Sequence, residues 1–254
     1  MKKPFLQIIL SGIIAISIVA LSFVFDISFS TINNFESAVA LYITESGGIY
    51  IVPIWIGFVS FVCIKNYNSK TRKTIGFIGF YISIAFILTS LAFVNEHVTK
   101  VAFKTPRPYS IFLEDYNFDS QNFSRIMEKE RRSEFLESYF HQNSTQINTA
   151  VAPRIQKHWI VETGYSFPSG HSLNAFLLAT LLSYFLLEIY KNSKVKYLYI
   201  FVLIWAMSVC YSRVTLGVHS PTDVTIGALI GYVIGILIIA TRIPDKLLKF
   251  DKTK

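Results

Sequence analysis

His171 and His219 have the neighbours that reaction chemistry requires. His219 stands in Ser212-Arg213-Val214-Thr215-Leu216-Gly217-Val218-His219-Ser220-Pro221-Thr222-Asp223. Asp223 is near enough along the chain to accept a proton from one ring nitrogen, leaving the other free to attack an electrophile. Ser220 reads as a helix N-cap, Pro221 as the first helical residue and Asp223 as the acidic member of a capping box, so a purely structural role for Asp223 also fits. His171 ends Pro168-Ser169-Gly170-His171. Ser169 is a good N-cap there, and Gly170 lets an anion approach backbone N–H groups that lack intrahelical partners. An ordinary capped helix with a surface histidine would look the same.

A third cluster is Lys100-Val101-Ala102-Phe103-Lys104-Thr105-Pro106-Arg107-Pro108. Lys100 and Arg107 are seven apart and share a face if a helix continues that far, although Pro106 and Pro108 point to its end. A planar guanidinium fork and a point-charge ammonium together suit a phosphate. Basic residues that merely snorkel toward headgroups would use the same types. Arg213 needs an anionic partner, which a bound phosphate would supply. Glu162, nine residues before His171, is a candidate headgroup contact; a solvated loop carboxylate is the plainer reading.

The elements that must position these residues are apolar. Residues are 52% hydrophobic and only 16% charged, and the charges are bunched between long apolar runs. Six runs read as membrane spans, near Phe5–Phe25, Gly48–Ile64 (with a kink expected at Pro53), Ile75–Asn95, Gly170–Tyr190, Tyr197–Leu216 and Thr222–Thr241. Lys2 and Lys3, then Lys65, Lys70, Arg72 and Lys73, then Lys191, Lys194 and Lys196, then Arg242, Lys246, Lys249, Lys252 and Lys254 mark one side as cytoplasmic. The first loop has only Asp26, Glu36 and Glu45 and faces outward, as does the segment 96–167 by parity. All three clusters then fall at outer ends of spans.

The expected fold is all-α: a polytopic bundle of six transmembrane helices, one domain over 1–254, with a mainly helical extracytoplasmic insertion at 96–167. Ser124 to His141 mixes apolar and charged residues as one or two short amphipathic helices would.

The net charge of +8 sits in the loops assigned to the cytoplasm, so anionic lipid headgroups explain it and nucleic acid is not an expected partner. Ala38-Val39-Ala40 lies well past the first apolar run, which argues against a cleaved signal peptide. Cys63 and Cys210 fall near opposite membrane faces, too far apart for a disulfide.

The three clusters together resemble the signature of the type 2 phosphatidic acid phosphatase superfamily: Lys, six residues, Arg-Pro; Pro-Ser-Gly-His; Ser-Arg, five residues, His, three residues, Asp. All eleven specified residues are present, at Lys100, Arg107, Pro108, Pro168, Ser169, Gly170, His171, Ser212, Arg213, His219 and Asp223. Within it, the stretch from His158 to Phe167 is similar to the bacterial phosphatidylglycerophosphate phosphatase B branch.

The resemblance implies a bacterial inner-membrane enzyme with both termini cytoplasmic and a periplasmic site. Its substrates would be lipid phosphates such as phosphatidylglycerophosphate, phosphatidic acid or undecaprenyl pyrophosphate. It implies His219 as nucleophile, through a phosphohistidine, oriented by Asp223. His171 would serve as general acid and base, and Lys100, Arg107, Ser169, Gly170 and Arg213 would bind the phosphoryl oxygens. No metal or other cofactor is expected, and oligomeric state is left open. Three rivals remain. A transporter that binds phosphate without hydrolysis should hold its polar residues near the bilayer midplane. A metal hydrolase using His97, His171, His219 and Asp223 would have to tolerate nearby Lys and Arg. A soluble vanadate haloperoxidase would share the pocket but not the apolar runs.

Overall fold

A computed structural model describes residues 3–23 and 34–244. Lys2, Asp26 and the four lysines after position 245, which entered the topology argument, lie outside the described residues, as does the end of the first run at Phe25.

The regular elements of the described residues are all helical. In chain order they are α1 (Lys3–Ala20), α2 (Asn34–Ser46), α3 (Val52–Cys63), α4 (Lys70–Val94), α5 (Lys100–Phe103), α6 (Pro108–Phe112), α7 (Ser120–Arg125), α8 (Lys129–Gln142), α9 (Ser144–Ala150), α10 (Pro153–Val161), α11 (Gly170–Ile189), α12 (Leu198–Thr215) and α13 (Pro221–Ala240). The stretches containing α1, α4, α11, α12 and α13 are long and apolar enough to cross a membrane.

The second expected span differs. Its helix is the 12-residue α3, roughly 18 Å long at 1.5 Å per residue, short of a hydrocarbon core about 30 Å thick. Pro53 lies in its first turn, where a missing N–H removes no helical hydrogen bond, so it starts the helix and does not kink it. The first loop also differs: α2 occupies part of it and packs on α12.

α11 is the axis of the bundle. Some 83% of its apolar window is buried inside the protein, against 17% for α4, whose side chains mostly face outward. A helix apolar all round belongs in the centre, and α13, α12, α3 and α1 surround this one. Its contact with α13 is unusually close because Gly227, Gly231 and Gly235 form a stripe along α13. A Cβ at Gly231 would lie 2.1 Å from the Leu173 carbonyl oxygen, and one at Gly227 2.4 Å from that of Ser169. Small residues at four-residue spacing let two helix backbones meet this way.

Residues after α5 form a second layer of short helices over one end of the bundle. Its core includes Tyr109, Leu113, Leu136, Ile147, Ile155 and Trp159, joined to Leu216 and Val218 at the end of α12. The Tyr109 and Trp159 rings stack with centroids 4.9 Å apart, and Trp159 Nε1 donates to the Leu216 carbonyl at 2.7 Å. α8 covers most of the stretch expected to hold amphipathic helices.

Candidate active site

Two helix starts are joined at the covered end of the bundle. Ser220 caps α13 in a complete capping box: the Asp223 N–H donates to Ser220 Oγ, and the Ser220 N–H donates to Asp223 Oδ2 at 2.7 Å. Ser169 caps α11, its Oγ accepting from the Ser172 N–H at 3.4 Å. The Ser169 N–H donates to the Asp223 carbonyl at 3.0 Å. Both caps therefore arise from local sequence, and the glycine stripe brings them into contact.

Lys100 and Arg107 reach the same place by a route other than a shared helix face. α4 passes through a π-helical turn at Asn95–Thr99 into α5, which stops where Lys104 takes a left-handed φ of 48°. Arg107 is extended and precedes α6. Lys100 is held by Glu96, with Nζ 2.8 Å from Oε2.

Arg107 donates from Nε to the Gly164 carbonyl at 2.8 Å and from Nη1 to the Val218 carbonyl at 2.9 Å. Its Nη2 meets Glu162 Oε2 at 2.8 Å, while Arg213 Nη2 meets Oε1 of the same carboxylate at 2.7 Å. Glu162 is thus an ion-paired group with its side chain 19% exposed, not a solvated loop carboxylate, and it supplies the partner that Arg213 needs. Burial favours its protonated form, but the Arg213 and Arg107 guanidiniums outweigh that and hold the carboxyl well below its usual range. One carboxylate satisfying both guanidiniums means that they converge on a space the size of one small oxyanion.

Arg213 is fully buried. Its Nη1 also donates to Thr44 Oγ1 of α2 at 3.1 Å and lies 3.4 Å from His158 Nε2, while Nε has no acceptor among the described residues. Burial first, then the Arg213 charge, pushes His158 down to about 4, which keeps it neutral.

His219 is buried beside these cations. Its Nε2 lies 3.5 Å from Arg107 Nη1, and its Nδ1 lies 3.5 Å from Asp223 Oδ2. That Nδ1 has no hydrogen-bond partner among the described residues, its 3.5 Å approach to Asp223 Oδ2 falling short of one. Burial, with Arg107, Arg213 and Lys100 acting in the same direction, holds the imidazole well below its ordinary pKa, so it is neutral, with its Nε2 lone pair facing Arg107.

A cavity of about 640 Å³ joins these groups. Lys100, Arg107, Gly170, His171, Arg213 and His219 all line it, as do Glu96, Lys129 and Glu162. Its other end is apolar, bounded by Val52, Pro53 and Ile56 of α3 and Tyr81, Ala85 and Leu88 of α4. Ser169 and Asp223 stand behind the wall as caps, both buried. His97 is exposed, its ring tilted against Phe93 with centroids 4.6 Å apart, and it does not line the cavity. No three His, Cys, Asp or Glu side chains among the described residues are grouped as a metal site.

The sequence pattern of the PAP2 superfamily matches residues 77–245. The chain belongs to the PAP2 superfamily. It is 27% identical over 225 residues to phosphatidylglycerophosphatase B of Haemophilus influenzae, covering 86% of this chain and 88% of that protein. Phosphatidylglycerophosphatase B of Escherichia coli K12 is 28% identical over 179 residues, covering 70% and 65%. Lipid A 4'-phosphatase of Bacteroides thetaiotaomicron is 40% identical over 68 residues, covering 27% of each.

Three cavity-lining groups, Asn95, Glu96 and Lys129, and His158 behind Arg213 escaped sequence reasoning as members of the site. Glu96 had a readable signal in its i,i+4 spacing to Lys100. Asn95 donates weakly to the Pro168 carbonyl at 3.4 Å, a contact 73 residues distant that no local pattern reveals.

Proposed function

We propose that the chain is a membrane-bound lipid phosphatase that cleaves phosphomonoesters or diphosphates of lipids through a phosphohistidine. One observation carries this reading: a single cavity runs from a cation-lined end with two histidines to an apolar cleft between α3 and α4. A phosphate esterified to a long hydrocarbon matches both ends. The relatives' names, which refer to phosphatidylglycerophosphate and lipid A, agree with an amphiphilic phosphate.

In the proposed reaction the phosphoryl oxygens lie against Arg107, Arg213 and Lys100, near the N–H groups opening α11. The Nε2 lone pair of His219 forms a bond to phosphorus while the bond from phosphorus to the leaving oxygen breaks. Protonated His171 gives that oxygen its proton. Neutral His171 then takes a proton from water as the water oxygen attacks phosphorus, and the P–N bond breaks to return the electron pair to His219. The products are the lipid with one phosphoryl group fewer and inorganic phosphate. Asp223 positions Nδ1 of His219; its 3.5 Å separation is the loose geometry common before substrate binds.

The fixed cations neutralise transition-state charge, so the reaction is assigned no metal. The proposed topology has six crossings with α3 as the short one, both termini cytoplasmic, and the helical layer and cavity mouth on the periplasmic face of a bacterial inner membrane. Phosphate release from a panel of lipid phosphates by protein in detergent, with and without chelator, tests the reading. A transporter would release none, and a metal enzyme would stop with chelator.

A further inference from the structure

Within the cavity the charges pair off, with one exception. Lys100 is paired with Glu96, while Arg107 and Arg213 share Glu162. Lys129 also lines the cavity, yet among the described residues its ammonium has neither an ion-pair nor a hydrogen-bond partner. It is not a chance surface lysine, because its backbone is fastened to the strip of chain that carries Glu162. Thr163 Oγ1 donates to the Lys129 carbonyl at 3.1 Å.

One turn further on, Arg132 is buried and clamps three carbonyls: Ile126 at 2.7 Å, Ser124 at 3.1 Å and Thr163 at 3.1 Å. Its guanidinium lies 4.5 Å from the centre of the Tyr165 ring. The start of α8 is thereby bolted beside the Arg107–Glu162–Arg213 cluster, and the exposed Lys129 lines the same cavity.

A lipid with only one phosphate presents that phosphate to the inner cations alone. A headgroup with a second phosphate carries at least one more negative charge, placed one linkage away from the reacting phosphorus. We propose that Lys129 is a specificity-determining residue that binds this second phosphate, favouring lipids with two linked phosphates over lipids with one. The proposal rests on the phosphatase reading. The shared chemistry is an anionic phosphate joined to the reacting one, either through a glycerol or directly in a diphosphate.

The test compares wild type, Lys129→Gln and Lys129→Arg in detergent at physiological salt, with phosphatidylglycerophosphate, an isoprenyl diphosphate and phosphatidic acid as substrates. An exposed charge pair is worth up to about fivefold in binding. In Lys129→Gln the ratio of kcat/KM for either two-phosphate lipid over that for phosphatidic acid should fall about fivefold, mainly through KM, and Lys129→Arg should restore it. A fall for only one of the two identifies the linkage that is read. Equal losses on all three substrates, or none on any, would overturn the proposal. A wild-type protein that releases phosphate from no lipid would overturn the phosphatase reading and this one with it, a result distinct from an unchanged ratio.

Discussion

The Ser169 N–H donates to the Asp223 carbonyl at 3.0 Å, tying the first turn of α11 to the first turn of α13. His171 follows Ser169 by two residues and His219 precedes Asp223 by four, so this one bond links the frames of both histidines. It exists because α13 has no side chains along the seam at Gly227 and Gly231.

Substituting Gly231→Ala should therefore force the helices apart. Its Cβ would meet backbone at 2.1 Å, which cannot rotate away. Overpacking of this kind costs about 1–3 kcal/mol, more than the roughly 1 kcal/mol of helix propensity that alanine adds. Thermal unfolding in detergent should show a lower Tm and phosphate release should fall. Gly79→Ala, where a Cβ meets nothing within 4 Å, should leave Tm the same or higher. Equal behaviour of the two variants would refute the seam argument.

His219→Ala should lower phosphate release on the order of 10⁶-fold, the scale seen when a covalent nucleophile is removed. His171→Asn should slow turnover by about 10²–10⁴-fold through loss of proton transfer, while a substrate with a good leaving group still labels His219. Mass spectrometry of the quenched variant looks for a phosphoryl group on that residue. Label retained in a His171→Asn, His219→Ala double variant would show that another residue is the nucleophile.

Glu162→Ala leaves two buried guanidiniums without their carboxylate, and breaking a buried pair costs about 3–5 kcal/mol. The expected result is a lower Tm that inorganic phosphate or vanadate raises more than it raises the wild-type Tm, because an oxyanion can fill the gap. An identical anion response in both proteins would mean that the guanidiniums do not converge on an oxyanion site.

Acid should weaken the fold in a defined window. An unfolded histidine takes up a proton near pH 6.5, whereas folded His158 stays neutral down to about 4. The unfolded state thus binds more protons between those values. Stability is full above about pH 6.5 and falls as pH drops toward 4. Glu162 continues the loss below its ordinary value of 4.5, since its folded pKa is depressed as well. His158→Gln should reduce the slope of the 6.5-to-4 part of a Tm-versus-pH profile, with His219 supplying the part that stays, and an unchanged slope there would contradict the assignment. His219, also held below its ordinary pKa, should keep the acid limb of kcat/KM under pH 6.5.

Local chemistry was legible before any coordinates. The caps at Ser169 and Ser220, the box closed by Asp223 and the five long apolar helices depend on residues within a few positions of one another, and backbone hydrogen bonding enforces them wherever the chain lies. The short α3 and the unforeseen α2 depart from expectation because an apolar run records burial without recording where a helix starts; Pro53 began the helix that it was expected to kink.

What the amino-acid order determined by itself was a set of residue types and spacings suited to an oxyanion, placed at the ends of apolar runs. Only the tertiary structure decided that Glu162 would bridge Arg107 and Arg213 across 55 and 51 residues, that Lys129 would line the cavity with no ion-pair partner among the described residues, and that a glycine stripe would bring two helix starts together. Those relations depend on close packing between segments remote in sequence, and the energy of such a contact belongs to the pair and leaves no periodic mark on either partner alone.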